Sequence, residues 1–356
     1  MIVVVDGDTP HLRDRIEEIR ANADAVLVAD PRWDSAQRLA IDKLVTEDVP
    51  NDVAWATLTS GTSGSARVVL RTATSWEASF DSVAELLGAE PSDRIILPAP
   101  PASSMTLFSL AHAAAGGPKA ALGLRAQGEL FHGTPHHLRS VLDDGAPPSL
   151  RAALVGGSTL DPMLRTRAEA LGIRVVHYYG AAELSFIAVD TGDGLSPFPT
   201  VDIEVRNGEV WVRSGFIASG YLGADGPMRR DGEWATVGDD GEIQQGLLRV
   251  TGRSDGAILT ASATVVPTDV ETELRAIGGV RDAVVFGVPH PRIGAIVAAF
   301  VEVEPGQDPD VPTEARRRLA PAQRPRRWHY GEIPRTPSGK PAREAVLRLA
   351  LNDHDR

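Results

Sequence analysis

The first half of the chain alternates short apolar runs with amphipathic segments. Apolar runs typical of buried strands occur at residues 2–5, 25–29, 53–57, 95–97, 152–155 and 173–176. Helical spacing of apolar residues marks segments 74–87 and 161–171, and Thr9 with Pro10 predicts the start of a helix that reaches Glu18. Strands that alternate with helices predict a mainly parallel sheet covered by helices.

The pattern changes twice after about residue 195. Short strands separated by Gly, Asn and Asp predict a compact antiparallel β region at residues 201–205, 209–213, 242–244 and 248–250. A small α+β unit follows, with helices near 267–277, 313–319 and 342–351 and strands at 283–288 and 296–303. We therefore predict an α/β protein: a large domain over residues 1–254, with a mainly parallel sheet and the compact β region, and a small α+β domain over 255–356.

Composition narrows the class of protein. The 356 residues are 42% hydrophobic, enough for a globular core, and the net charge of −12 argues against a nucleic-acid or anionic-membrane binder. Cysteine is absent, which excludes disulfides, thiol nucleophiles and cysteine metal sites. The chain lacks a basic, apolar leader and any apolar run long enough to span a membrane, so we expect a cytoplasmic protein.

One lysine is conspicuous because lysine is rare in this chain. Only three of the 36 basic residues are lysines, and one of them, Lys340, ends the segment Pro-Arg-Thr-Pro-Ser-Gly-Lys at residues 334–340. Proline, serine and glycine predict a tight exposed turn there. A lysine at its tip offers a compact, mobile charge that arginine does not. An ordinary surface lysine is the alternative.

A loop of glycines and small hydroxyl residues follows the strand at 53–57. Such a loop lets backbone N–H groups approach an anion and adds hydroxyl donors, which favours phosphate binding. A solvated Ser/Gly hairpin is the alternative, and a Walker loop is excluded because its Gly-Lys-Ser/Thr ending is missing. The loop residues are Thr59, Ser60, Gly61, Thr62, Ser63 and Gly64.

Two further segments follow predicted strands. We expect the first to form a Tyr-Gly turn in which an aromatic face can stack on a purine and a carboxylate can hold Mg²⁺. A buried aromatic pair with a surface glutamate is the alternative. The second segment is glycine-rich and would line a crevice at strand carboxyl ends. The first comprises His177, Tyr178, Tyr179, Gly180, Ala181, Ala182 and Glu183; the second comprises Gly156, Gly157 and Ser158.

Other polar residues carry weaker indications. Asp239 can bind ribose hydroxyls and Arg253 an anion, but both also suit ordinary turns of a β region. His132, His136 and His137 could suggest metal ligands. We do not favour this, because adjacent histidines point different ways on a helix.

In their order along the chain, these segments resemble those of the adenylate-forming family, which includes acyl-CoA synthetases, non-ribosomal peptide adenylation domains and luciferases. The resemblance extends from about residue 53 onward. The resemblance implies that residues 59–64 bind phosphate, Tyr179 stacks on adenine and Glu183 holds Mg²⁺. It further implies that Asp239 and Arg253 contact the ribose and phosphate. Asp255 would be the hinge about which the small domain rotates, and Lys340 the lysine required for adenylation.

The chain also departs from the family pattern. The loop continues Ala66-Arg67-Val68 instead of Pro-Lys-Gly, Ala182 replaces threonine, and Ser262 replaces a glycine beside the expected pantetheine tunnel. The part before the loop is short, as in o-succinylbenzoate-CoA ligases, yet their histidine motif is absent around residues 100–108.

The resemblance implies an AMP-forming ligase that uses ATP and Mg²⁺ to activate a carboxylic acid and then transfers the acyl group to CoA. Two alternatives remain at this stage. The acceptor could be an acyl carrier protein or another nucleophile, or the chain could be a catalytically weak, nucleotide-binding relative with a regulatory role. Ala182 and Arg67 favour the last alternative, whereas Lys340, Glu183 and Asp239 oppose it.

Overall fold

The computed structural model describes residues 1–33, 35–59, 67–223, 226–253, 258–259, 264–290, 294–319, 323–337 and 339–352. The predicted loop residues 60–64, the predicted hinge Asp255 and Ser262 lie outside this set. In chain order the elements are β1 (Ile2–Asp6), α1 (Leu12–Ala21), β2 (Ala25–Ala29), α2 (Ser35–Leu44), β3 (Val53–Thr59), β4 (Arg67–Thr72), α3 (Thr74–Glu77), α4 (Phe80–Leu87), β5 (Arg94–Leu97), α5 (Ser104–Ala114), β6 (Lys119–Leu122), β7 (Leu130–Gly133), α6 (Pro135–Asp143), β8 (Ala152–Gly156), α7 (Pro162–Ala170), β9 (Arg174–Ala181), β10 (Ser185–Asp190), β11 (Ser196–Pro197), β12 (Asp202–Arg206), β13 (Glu209–Arg213), β14 (Gly220–Leu222), β15 (Arg229–Asp231), β16 (Trp234–Thr236), β17 (Asp239–Gln244), β18 (Leu247–Arg253), β19 (Ile258–Leu259), β20 (Thr264–Val265), α8 (Pro267–Arg275), β21 (Val280–His290), β22 (Gly294–Val303), α9 (Val311–Arg318), β23 (Arg327–Tyr330) and α10 (Arg343–Asn352).

The N-terminal strands form two sheets rather than the single sheet that the pattern predicts. The first has the order β1-β2-β3-β4-β14, and the second has the order β11-β10-β9-β8-β7-β5-β6. The first sheet is parallel from β1 to β3 and antiparallel from β3 to β14. The second is parallel from β6 to β9 and antiparallel at β10 and β11. The split arises because the β3–β4 hairpin turns the chain back within the first sheet, so the next strand, β5, starts another. Apolar periodicity identifies strands but not the sheet that each strand joins.

Helix α5 packs between these two sheets. Its Phe108 meets Trp76 edge-on with ring centroids 5.7 Å apart, and Trp76 in turn lies 5.6 Å from Trp55 of β3. All three rings are buried. The resulting aromatic core holds the two sheets in a fixed relation, and both sheets contribute residues to the site described below.

The predicted antiparallel β region and the small α+β unit are both present. Strands β15, β16, β13, β17 and β18 form an antiparallel sheet that β12 joins through β13. The C-terminal unit is a sheet of β21, β22 and β23 with its own buried clusters on both faces. We refer to residues up to 253 as the large domain and to residues from 264 as the small domain.

Three local predictions are wrong. Helix α1 begins at Leu12 and not at Pro10, because His11 before it takes a left-handed conformation with φ 59°. The predicted helix at 74–87 is two helices, and Ser79 between them donates its hydroxyl to the Trp76 carbonyl instead of continuing the helix. The expected Tyr-Gly turn is absent, since β9 continues through Ala181 and pairs with β10.

No helix in the described part of the chain is long and apolar enough to cross a membrane.

Candidate active site

The site lies where β8 and β9 end side by side in the second sheet. The two strands are parallel neighbours in which Gly156 pairs with Tyr178, so the segments that follow them emerge at one edge. The backbone carbonyl of Ser158 lies 3.1 Å from Nε2 of His177 and ties the two segments together. The structure therefore brings together the two strand-end segments that the sequence marked separately.

Lys340 reaches this edge from the small domain. A β-carbon built on Gly157 would lie 3.0 Å from Cε of Lys340, so the lysine side chain runs directly over that glycine. Gly157 also has φ +87°, which disfavours any residue with a side chain. Glycine at this position thus leaves room for the lysine beside the strand ends.

A tight hairpin carries the lysine. The Thr336 amide donates to the Lys340 carbonyl at 2.7 Å, and the Gly339 amide donates to the Thr336 carbonyl at 2.8 Å. Gly339 has φ +79°, and a β-carbon built on it would lie about 3.0 Å from Thr134 Oγ1 and 2.9 Å from Nε2 of His137. The hairpin therefore rests on the start of helix α6, a contact that the sequence did not reveal.

The proposed adenine and ribose residues are joined by one hydrogen bond. The Tyr179 hydroxyl donates to Oδ2 of Asp239 at 2.6 Å, although the two residues belong to different sheets. In the β17–β18 ladder Asp239 pairs with Arg253, which places the backbones of these two predicted residues side by side. Tyr179, Asp239 and the Arg253 backbone thus lie close together.

Tyr178 points the opposite way from Tyr179, as strand alternation demands. Its ring fills the space over Gly156, where a built β-carbon would lie 2.2 Å from Cζ. Its hydroxyl lies 3.0 Å from Nε2 of His132, whose Nδ1 lies 2.8 Å from the Ser109 hydroxyl. Burial raises the pKa of Tyr178 and lowers the pKa of His132 to about 3. Any contact of Tyr178 with a nucleotide would therefore have to use its backbone.

Glu183, the predicted Mg²⁺ ligand, is 6% exposed. The Tyr221 hydroxyl donates to its Oε1 at 2.9 Å and orients the carboxylate. Carboxylate oxygen is the donor that Mg²⁺ prefers, and Oε2 receives no such bond among the described residues, so the group fits a role as a single metal ligand. Within the described residues no cluster of three or more metal-ligating side chains occurs, the three histidines included.

A buried arginine that the sequence prediction missed supports the turn at Ala182 and Glu183, which follows β9. Arg71 on β4 donates from Nε and Nη2 to the carbonyl of Ala182, at 3.0 and 2.7 Å, and from Nη1 to the carbonyl of Phe216 at 2.7 Å. Burial lowers the pKa of Arg71 to about 9, while the nearby Glu183 carboxylate favours the charged form. An isolated arginine in the apolar run Val-Val-Leu-Arg was the available indication, but this strand was not predicted.

The segment predicted to bind phosphate lies between β3 and β4 in the chain. Thr59 closes β3 opposite Arg67, which opens β4, in an antiparallel ladder. Since Arg71 lies on β4, the same strand that leaves the loop also supports the Ala182–Glu183 turn. The structure thus links two segments whose predicted partners are the phosphates and the metal of one nucleotide.

Family models match both parts of the chain. One described as AMP-binding enzyme matches residues 2–222, and one described as AMP-binding enzyme C-terminal domain matches residues 269–340. The chain belongs to the AMP-binding enzyme family. The predicted adenylate-forming membership is confirmed, and the match begins at residue 2, well before the motifs that suggested it.

Relatives and solved structures agree with this assignment. A probable 2-succinylbenzoate–CoA ligase of Mycobacterium tuberculosis is 29% identical over 373 aligned positions, which cover 96% of this chain and 95% of the relative. E. coli MenE with bound OSB-AMS is similar in fold, with a TM-score of 0.83 at 22% identity over 98% of this chain and 87% of that one. The amide bond synthetase McbA from Marinactinospora thermotolerans is 26% identical, with a TM-score of 0.73 over 98% and 80%. The predicted fold class is confirmed.

Proposed function

We propose that this chain is an AMP-forming acid–CoA ligase. A carboxylate oxygen of the acid attacks the α-phosphorus of ATP, the bond to the leaving pyrophosphate breaks, and acyl-adenylate forms. The sulfur of CoA then attacks the acyl carbon, AMP leaves, and the thiol proton is released. The observation that carries the proposal is the placement of Lys340 over Gly157, beside the end of β9, whose Tyr179 is hydrogen-bonded to Asp239.

The described residues suit these roles. The Tyr179 ring offers a stacking face to adenine, and the Asp239 carboxylate accepts from ribose hydroxyls. Gly156, Gly157 and Ser158 would line the phosphates together with residues 59–64, of which only Thr59 belongs to the described part of the chain. Lys340 stabilises the negative charge that develops on the α-phosphate as the bond to pyrophosphate lengthens, and the protein fixes its position in advance.

Glu183 would hold the Mg²⁺ that accompanies ATP. When bound, that ion neutralises phosphate charge. Tyr221 and Arg71 keep the carboxylate and its turn in place through the hydrogen bonds described above.

The similarity to the M. tuberculosis relative supports CoA as the acceptor, because that relative is named a CoA ligase. A second acceptor class is an amine or an acyl carrier protein, and the similarity to an amide bond synthetase gives the amine specific support. The position of Lys340 over Gly157 supports an active enzyme over a catalytically weak regulatory relative, the alternative that Ala182 and Arg67 favour. We further propose a cytoplasmic location, where ATP and CoA are available.

The test is a pyrophosphate-release assay with Mg·ATP and a panel of aromatic and aliphatic carboxylic acids, each with and without CoA. Mass spectrometry of the quenched mixture separates acyl-adenylate from acyl-CoA. We expect acid-dependent pyrophosphate release with at least one acid, and acyl-CoA only when CoA is added. Adenylate that accumulates with CoA but is consumed by an amine would assign the second acceptor class. If the protein binds no adenine nucleotide at millimolar concentration and releases no pyrophosphate, the proposal that it is an AMP-forming ligase is refuted.

A further inference from the structure

Helix α6 of the large domain presents one face to the small domain. His136, Arg139 and Asp143 are spaced i, i+3 and i+7, so they share that face. Each meets charged groups of the small domain. His136 lines a cleft with Arg281 and Arg335, and Asp143 lies 3.9 Å from Arg281. Burial and the nearby Arg335 lower the pKa of His136 to about 4, which keeps it neutral against those arginines.

Arg139 makes the shortest of these ionic contacts. Its Nη1 donates to Oε1 of Glu304 at 3.1 Å, across the domain boundary. Its Nη2 donates to Oδ2 of Asp161 at 3.2 Å, within the large domain. Arg139 is 16% exposed, Asp161 12% and Glu304 32%, so the pair is partly withdrawn from water and is weakened less by salt than a surface pair.

The geometry around Arg139 is fixed from the large-domain side. Asp161 accepts from the Met163 amide at the start of α7 with one oxygen and from Arg139 with the other. The large domain by itself thus orients the guanidinium, and Glu304 of the small domain supplies its second carboxylate partner. At the start of the same helix, Thr134 and His137 contact Gly339 of the hairpin that carries Lys340.

We propose that Arg139 is a positioning residue whose ion pair with Glu304 latches the small domain in the arrangement that places Lys340 over Gly157. The inference rests on the proposed function, in which Lys340 serves the adenylation step. Because the same hairpin covers the strand ends, a thiol acceptor needs this latch to open before the second step. The pair thus favours the first half-reaction at the expense of the second.

The experiment compares the two half-reactions in Glu304→Ala, Arg139→Ala, Arg139→Lys and the Arg139→Ala/Glu304→Ala double variant. Pyrophosphate release without CoA reports adenylation, and CoA-dependent AMP release from preformed adenylate reports transfer. Glu304→Ala removes only the interdomain ion pair and keeps the Arg139–Asp161 pair. Its effect therefore does not include any loss of stability at the start of α7. Arg13→Ala removes an exposed ion pair on α1 and is the matched control.

We expect Glu304→Ala and Arg139→Ala each to slow adenylation about three- to tenfold without slowing transfer. The double variant should resemble the singles rather than their product, because both changes remove one interaction. Arg139→Lys, which keeps the charge, should recover part of the rate. Equal loss in both half-reactions, no change, or full additivity would overturn the proposal.

A second readout does not depend on activity. The chain has no cysteine, so Met163→Cys on α7 and Leu349→Cys on α10, both exposed positions, can carry a fluorescent pair. Glu304→Ala should change the energy transfer between these labels, whereas Arg13→Ala should not. If the parent protein forms no adenylate with any acid, the proposed function fails. Unchanged energy transfer between the labels in Glu304→Ala would refute the latch independently of that result.

Discussion

At the scale of single residues, function concentrates in charges that the fold holds at fixed points. Lys340 belongs to a chain that uses arginine for 33 of its 36 basic residues, and it lies on a hairpin rather than in a core. Arg71 is the opposite case: its guanidinium is fully buried and bonded to carbonyl oxygens of two segments. Removing the first charge should therefore affect chemistry, and removing the second should affect the fold.

Lys340→Ala should lower the rate of acyl-adenylate formation by roughly 100-fold or more, because a preorganised charge beside the α-phosphate is lost. The melting temperature should stay within about 2 °C of the parent, since the Lys340 side chain is only half-buried and belongs to no buried apolar cluster. Acid-dependent pyrophosphate release and thermal melting measure the two effects. Lys43→Ala, which changes an exposed lysine in the last turn of α2, is the control. Near-parental adenylation in Lys340→Ala would remove this residue from the mechanism.

Arg71→Met should destabilise the protein by about 3 kcal/mol or more, because the carbonyls of Ala182 and Phe216 lose their buried donor. Chemical denaturation measures the free energy of unfolding. Arg213→Met, on a strand where the arginine side chain is 46% exposed, should cost less than about 1 kcal/mol. Similar losses in both variants would show that the Arg71 bonds do not stabilise the fold.

At the scale of elements, strand β9 assigns opposite roles to two adjacent tyrosines. Tyr179 faces Asp239 of another sheet, and Tyr178 faces the core and His132. The alternation of a strand separates them, whereas the turn expected from the sequence would have placed both at the site.

The tyrosine pair offers a matched experiment. Tyr178→Phe should cost about 1–3 kcal/mol of stability, because His132 loses a buried partner, and should leave the KM for ATP unchanged. Tyr179→Ala should raise the KM for ATP about tenfold through the lost stacking face. Denaturation curves and ATP titrations measure both. If Tyr178→Phe changed the KM and Tyr179→Ala did not, the face assignment of β9 would be reversed.

At the scale of the whole molecule, buried neutral histidines couple stability to pH. Burial is the main cause that lowers the pKa of His132 to about 3 and the pKa values of His112, His136 and His137 to about 4. The unfolded chain, with histidine pKa values near 6.5, binds more protons between those limits. Stability should therefore be fully present above about pH 6.5 and decrease as the pH falls toward 4.

Melting temperatures at pH values from 7.5 to 4.5 test this coupling. His132→Gln removes one titrating group and should flatten the dependence of the melting temperature on pH, whatever its effect at pH 7.5. His11→Gln, which changes an exposed histidine, is the matched control. Parallel curves for His132→Gln and the parent would show that His132 does not contribute to the acid sensitivity.

The sequence by itself determined many of the strands and the family. Strands at 25–29 and 209–213 were predicted with their observed bounds. Apolar runs and the turn residues that flank them are visible in a short stretch of sequence, without knowledge of the rest of the fold. The order of the four motifs identified the adenylate-forming family, and the rarity of lysine pointed to Lys340. The helix breaks at His11 and Ser79 were missed because they depend on local hydrogen bonds and backbone conformation that propensity does not encode.

Only the tertiary structure decided which residues meet. Arg71 contacts Ala182 across 111 residues of chain, Tyr179 contacts Asp239 across 60, and Arg139 contacts Glu304 across 165. A periodic pattern states that a strand is buried, but not which strand pairs with it or which sheet it joins. Those choices depend on chain reversal at β3–β4, on packing around α5 and on the docking of the small domain. They are set by the free energy of the whole fold rather than by any one segment.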